Sequence, residues 1–259
     1  SRSCRSALEA AEAQRDLQRR WGALSAKAAV LPRAELLLAQ EEARLQRPAI
    51  SARWELELGD APLVLTLSDE QAKANVNLLE ARHGPRSMVA SLSPLQSGAG
   101  APLPIRPRPQ EVRKLRGQLA PPRYESFDML FEVHGPSQLA SVEGRTAPVK
   151  RITCWSDGRI NFRRADRESL RAVTRGVLDA SELAKLLKYR REVPGGSMHE
   201  ALKRLELPRE QAVEAAQLLT DVSGCHALWV VTGEDEQRHY RLYVARAGGG
   251  AGTNWRFAW

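Results

Sequence analysis

The chain has 259 residues, 42% of them hydrophobic, enough for a buried core in one two-lobed domain or two small ones. With 39 Lys and Arg against 31 Asp and Glu its formal charge is +8, which suits an acidic partner, nucleic acid or anionic lipid, or is simply a solvated arginine-rich surface. No run of eighteen apolar residues occurs, so no helical membrane span is encoded; the first residue is Ser rather than Met, so a preceding segment is expected, with an anchor or signal left open.

Residues 1–48 carry a helical pattern in which Leu17, Trp21, Leu24, Ala28 and Leu31 recur at spacings of four and three, as in one long amphipathic helix. Pro32 is placed to kink or interrupt it, and Ala34 to Leu45 resumes the pattern with Glu35, Glu41 and Arg44 toward water. In 49–83, Ala52, Trp54, Leu56 and Leu58 alternate with polar residues, Gly59-Asp60 turns the chain, and Leu63, Leu65 and Leu67 alternate again. That predicts a β-hairpin with one buried face. From 84 to 123 the composition shifts to Pro, Gly, Ser and Arg, including SGAGAPLPIRPRP at 97–109, which offers few backbone donors and no apolar period. An exposed insertion is expected there.

Helical patterns return across 124–222: Phe127, Leu130 and Phe131; Leu170 and Val173; Leu183, Leu186 and Leu187; Leu202 and Leu205; Val213, Ala216, Leu218 and Leu219. Short helices joined by Gly and Pro turns predict an all-α insertion domain. In 223–259 alternation returns at Trp229 and Val231, at Tyr240, Leu242 and Val244, and at Trp255, Phe257 and Trp259, so these strands complete the sheet. The fold class is α+β, with a helix packed on an antiparallel sheet and a large helical insertion between strands.

The stretch ITCWSDGRINFRRADRESL at 152–170 packs a strand end, the turn Ser156-Asp157-Gly158 and a helix start together, and a similar cadence runs from Leu67 to Leu78. Neither holds a catalytic constellation. The histidines, His83, His134, His199, His226 and His239, are dispersed outside any HExxH, GxSxG or Cys-His arrangement, and Gly248-Gly249-Gly250 precedes no helix, so no enzyme is expected. Cys4, Cys154 and Cys225 lack metal-ligand spacing; Cys154 and Cys225 either pair in an oxidising compartment or remain two buried thiols.

The order of elements, together with SDEQAKANVNLL at 68–79, YESFDMLFEVHG at 124–135, WSDGRINFRRADRESLRAV at 155–173 and LAKLLKYRREVPGGS at 183–197, resembles the type II secretion minor pseudopilin K family. The resemblance covers most of 50–259 and implies a pilin-like fold. It implies a non-enzymatic minor pseudopilin at the pseudopilus tip, on the periplasmic face of the bacterial inner membrane. Such a subunit acts in protein export by assembling with other minor pseudopilins, and its membrane-spanning helix would precede this chain. The inserted helical domain would block a further subunit from stacking above. Family members can bind calcium through acidic loops, for which Glu234, Asp235 and Glu236, or Asp69 and Glu70, would be the donors. Both are better read as solvated turns, because calcium needs about six to eight converging oxygens, and no cofactor is expected.

The subunit-interface candidates are Leu17, Trp21, Leu24 and Leu31. Part of that stripe is expected on the chain's own sheet, with Trp21 and Leu24 in the core, so that Trp21→Ala would cost about 3–5 kcal/mol. The alternative function is a helix-hairpin-helix-like nucleic-acid-binding module. It rests on Glu182 through Arg190 followed by Pro194-Gly195-Gly196, with Lys185, Lys188, Arg190 and Arg191 supplying charge. Only one glycine, Gly176, stands where that motif needs two.

Overall fold

The computed structural model describes residues 2–58, 61–96, 102–106, 114–115, 118–119, 123–133, 135–139, 148–233, 238–246 and 254–258. Helix α1 (Arg2–Val30) is built from strong helix formers and stops where Pro32 removes a backbone donor, leaving a single 3-10 turn, Leu31–Arg33. Helix α2 (Ala34–Leu45) follows and closes on Gln46 at φ 52°. The expected hairpin forms as β1 (Ser51–Leu58) and β2 (Ala61–Asp69), antiparallel with Trp54 opposite Leu65 and Leu56 opposite Leu63.

The chain then leaves the sheet for β3 (Ala74–Asn75), α3 (Val76–Leu95), the short pair β4 (Lys114–Leu115) and β5 (Gln118–Leu119), and the single turn α4 (Phe127–Leu130). β6 (Ile152–Thr153), β7 (Ile160–Asn161), α5 (Arg167–Val173), α6 (Ala180–Glu192), α7 (Met198–Leu205), α8 (Arg209–Leu218) and β8 (Leu219–Thr220) follow. It returns through β9 (Cys225–Thr232), β10 (His239–Arg246) and β11 (Asn254–Ala258). The sheet order is β1-β2-β9-β10-β11, so the strands on either side of the insertion are neighbours in one sheet, as the sequence predicts. The fold is α+β.

Two compact units result, Ser1–Asp69 with His226–Trp259, and Glu70–Cys225. In the first, α1 and α2 pack on the sheet around Ala23, Val30, Ala34, Leu38, Ala52, Leu63, Leu65, Leu67, Leu228, Val230 and Tyr243, all buried. The Lys27 ammonium sits 5.5 Å from the Tyr243 ring centroid, so its stem covers apolar surface while its charge meets the π face. Arg19 lies 3.3 Å from His239, Arg241 donates to the Arg19 carbonyl at 3.2 Å, and Glu35 lies 2.7 Å from His226. These contacts fix which faces of the helices meet the sheet.

The second unit departs from the sequence expectation in three places. Residues 70–83, expected with the hairpin, belong to the helical unit, and α3 begins at Val76. Residues 84–95, expected to be exposed, continue α3 with Met88, Leu92 and Leu95 buried at spacings of four and three. Gly84 (φ 75°) breaks the helix and Pro85 opens its second segment, where a missing N–H costs nothing, so the two residues that disguise the helix are those that kink it. Beyond it Leu103 is buried and Ile105 bridges Phe131. The unit is also not purely helical, since β3 pairs with β6 and β7 with β8, both parallel. The turn at 59–60, His134, Glu234 to Glu236, Gly248 to Gly250 and most of 97–123 lie outside the described residues.

Candidate subunit interface

At about 100° per residue Leu17, Trp21, Leu24 and Ala28 fall within roughly a 60° arc of α1, and Gly22, Ala23, Ala26 and Val30 centre on the opposite side. The structure gives the sheet the second set. Gly22 and Ala23 are buried, whereas Leu17, Trp21 and Leu24 are 56%, 61% and 43% exposed. The core placement of Trp21 and Leu24 is therefore corrected. The cause is local: a Cβ on Gly22 would lie 3.0 Å from Leu58 Cδ2 and 3.2 Å from Leu63 Cδ2, so helix and sheet approach too closely for bulky side chains between them. Leu31 goes the other way. It sits in the 3-10 turn, out of phase with α1, and packs half-buried against the core.

Leu56 and Leu58 were expected on the buried face of the hairpin, yet they are 50% and 44% exposed. They lie on β1, the edge strand, whose burial fades from Ala52 onward. Alternation reveals a strand's faces, not its position at a sheet edge. With Leu58 beside Gly22, an apolar strip on the sheet edge borders the helix that carries Trp21.

The motifs around Asn75 and Asn161 do positional rather than chemical work. Buried Asn75 donates from Nδ2 to the Ser156 carbonyl and hydroxyl at 2.8 and 3.0 Å, and its Oδ1 accepts from the Asn77 and Leu78 amides, capping α3. Buried Asn161 repeats the device, donating to Ser223 Oγ at 2.7 Å and accepting from the Arg163 amide at 3.0 Å. The partner strands repeat as well, since Thr153 and Thr220 each accept the amide two residues on, from Trp155 and Val222. Ile152-Thr153-x-x-Ser156 and Leu219-Thr220-x-x-Ser223 are thus two copies of one acceptor, each reached by an Asn that precedes a helix or turn. The only helix among the described residues of the segment at 124–135 is the single turn α4, with Phe127 edge-on to Trp155 at 4.8 Å.

Asp69 and Glu70 are not a solvated loop. Both are fully buried, Asp69 opposite His226 in the sheet and Glu70 bonded to the Lys73 ammonium at 2.5 Å. Beside them Gln71 bonds Asp157 and the Arg159 carbonyl. Burial works to raise the Asp157 pKa, but the Arg159 and Gln71 bonds outweigh it and hold the carboxyl below its ordinary value. Among the described residues no group of three or more His, Cys, Asp or Glu could hold a metal ion. Cys154 and Cys225 are separate buried thiols rather than a disulfide, and burial, with Glu70 and Asp128 nearby, pushes the Cys154 thiol well above its ordinary value, away from nucleophilic use.

The nucleic-acid alternative finds no support in the α6–α7 hairpin. Gly196 packs so close to Tyr189 that a Cβ would lie 2.2 Å from the phenolic oxygen, which makes the turn a packing device. The amides a phosphate would need are already taken: Met198 N donates to Asp221 at 2.9 Å, Glu200 N to Ser197 Oγ at 3.2 Å, and the starts of α5 and α6 are capped by Asp166 and Asp179.

The sequence matches no protein-family model and no curated protein. The structure is similar to a chain in the crystal structure of the GspK-GspI-GspJ complex from the enterotoxigenic Escherichia coli type 2 secretion system, with a TM-score of 0.52 at 17% identity. The match covers 97% of this chain and 99% of that chain. The fold is pilin-like. It includes both the helix-on-sheet unit and the helical insertion, since the likeness runs almost end to end. No helix among the described residues is long and apolar enough to cross a membrane.

Proposed function

We propose that this chain is a non-enzymatic minor pseudopilin, the tip subunit of a type II secretion pseudopilus, working in protein export through assembly with other pilin-like subunits. The observation that carries this is the stripe Leu17, Trp21 and Leu24, turned away from the sheet that the same helix packs against. Three bulky apolar side chains on one exposed face favour burial against a partner by roughly 25 cal/mol per Å² covered. Leu56 and Leu58 extend the surface. Leu31, half-buried against the core, is the weakest of the four sequence candidates for a partner contact.

A tip position is supported by the insertion. Its two connections leave side by side from one end of the β2–β9 pair, where Asp69 lies opposite His226, and 156 residues follow before the chain returns. That bulk would have to be accommodated by any subunit stacking beyond it. In this reading the chain sits on the periplasmic face of the inner membrane, anchored through a preceding apolar helix, and needs no cofactor. Co-expression with the other pilin-like proteins of its own genome, in moderate salt with nuclease, is the test. A stoichiometric complex lost in Trp21→Glu is expected; recovery of the chain alone from every combination would overturn the proposal.

A further inference from the structure

The positive charge is concentrated. The helical unit, Glu70–Cys225, holds 25 Lys and Arg against 18 Asp and Glu, so it carries +7 of the formal +8. Within it Arg163, Arg167, Arg171 and Arg175 recur every fourth residue, and all four are exposed. Arg167 and Arg171 lie one turn apart on α5, whose Leu170 and Val173 are buried. Arg163 precedes the helix, its amide held by Asn161 and its guanidinium 3.6 Å from where a Cβ on Gly195 would be. Arg175 follows it; burial, with the charges of Arg82 and Arg175, keeps His83 below its ordinary pKa.

Two of the nearby carboxylates are committed elsewhere, while Glu168 of α5 stands between Arg167 and Arg171 in the chain. Asp166 caps α5 and bonds Arg151, and Asp157 is held by Arg159. No ion pair reaches the four arginines among the described residues. Arg190 donates to the Phe162 and Ala165 carbonyls on either side of Arg163 and Arg164 at 2.9 and 2.5 Å, so its charge is solvated by dipoles and adds to the field rather than cancelling it.

We propose that this basic surface, centred on Arg167 and Arg171 of α5, docks an acidic protein partner, one whose carboxylates repeat at the spacing of a helix turn. This is independent of the pseudopilin assignment. Guanidinium forks match carboxylates in bidentate geometry, which favours Arg over Lys at such a face. Nucleic acid fits less well, because the exposed large apolar side chains among the described residues of this unit, Val89, Met129, Val213 and Val222, include no aromatic platform, and the starts of α5, α6 and α7 are held by Asp166, Asp179 and Asp221. A lipid surface fits less well too, because Leu170 and Val173, the bulky apolar side chains of α5, are buried.

The test is fluorescence anisotropy at low ionic strength with an alanine-based helical peptide carrying Glu at every fourth position. Its scrambled isomer, a single-stranded oligonucleotide and phosphatidylserine vesicles are the competitors. Tighter binding of the patterned peptide than of its isomer is expected, weakened about tenfold or more by Arg167→Glu with Arg171→Glu, and less by the two Lys replacements. The equal-charge control Arg33→Glu with Arg47→Glu, in the other unit, should leave binding within about twofold, and unchanged melting curves establish that each variant is folded. Equal binding of both peptides, equal loss in the control, or preference for oligonucleotide or vesicle would overturn the proposal.

Discussion

Replacing Trp21 by Ala separates a core residue from an interface residue. A Trp side chain offers about 150–250 Å², and with 61% exposed roughly 60–100 Å² is covered within the chain itself. At about 25 cal/mol per Å² that is about 2 kcal/mol as an upper bound, reduced by the better helix propensity of Ala, so a net loss of about 1 kcal/mol is expected in the isolated protein. The roughly 90–150 Å² still exposed would be worth about 2–4 kcal/mol against a partner, or a factor of about 30 to 1,000 in affinity. The assay is paired: thermal melting of the isolated chain, and titration against the co-expressed pilin-like partners. Leu38→Ala, at a fully buried site in the same unit, is the reference and should cost about 2–5 kcal/mol. A melting curve for Trp21→Ala as depressed as that of Leu38→Ala would refute the outward placement, and an unchanged affinity would refute the interface.

Asn75→Ala removes a helix cap and two cross-segment bonds from a buried site and should destabilise the helical unit by about 2–4 kcal/mol, read by chemical denaturation. Asn161→Ala should act in the same direction; a neutral result at Asn75 would remove the interlock. Gly196→Ala should cost about 1–3 kcal/mol by displacing the Tyr189 ring, and combining it with Tyr189→Ala should add little beyond Tyr189→Ala alone. Additive losses would place the strain elsewhere. His83 is held below its ordinary value of 6.5, so the unfolded chain takes up the proton first as pH falls. The stability associated with neutral His83 is present above about pH 6.5 and is lost as pH falls through its folded value; His83→Gln should flatten the melting temperature over that range.

Elements with a strong local cause were legible. Pro32 marks the break between α1 and α2, alternation from Ala52 to Leu67 gives the hairpin, and Trp229 through Phe257 gives the returning strands. The direction of Trp21 was not legible from bulk alone, because α1 carries two apolar faces, one bulky and one small, and the sheet selects the small one. The signal was Gly22, a glycine in mid-helix that only a close approach explains. The second half of α3 was hidden by Gly84 and Pro85, whose punctuation masks the period of Met88, Leu92 and Leu95. The buried state of Glu70 could not be read because its partner, Lys73, makes the same sequence pattern as a solvated i, i+3 pair. The cadence shared by 67–78 and 155–170 was visible, but its meaning was not, since each Asn bonds a serine more than 60 residues away.

The most direct measurement places a photo-crosslinking amino acid in turn at positions 17, 21, 24, 23 and 26 of α1 in the full-length protein, within cells that make the other pilin-like subunits. Crosslinks to those subunits from 17, 21 and 24, with none from 23 and 26, are the expected result. Crosslinks confined to 23 and 26, or none from any of the five positions, would contradict assembly through the outward face of α1.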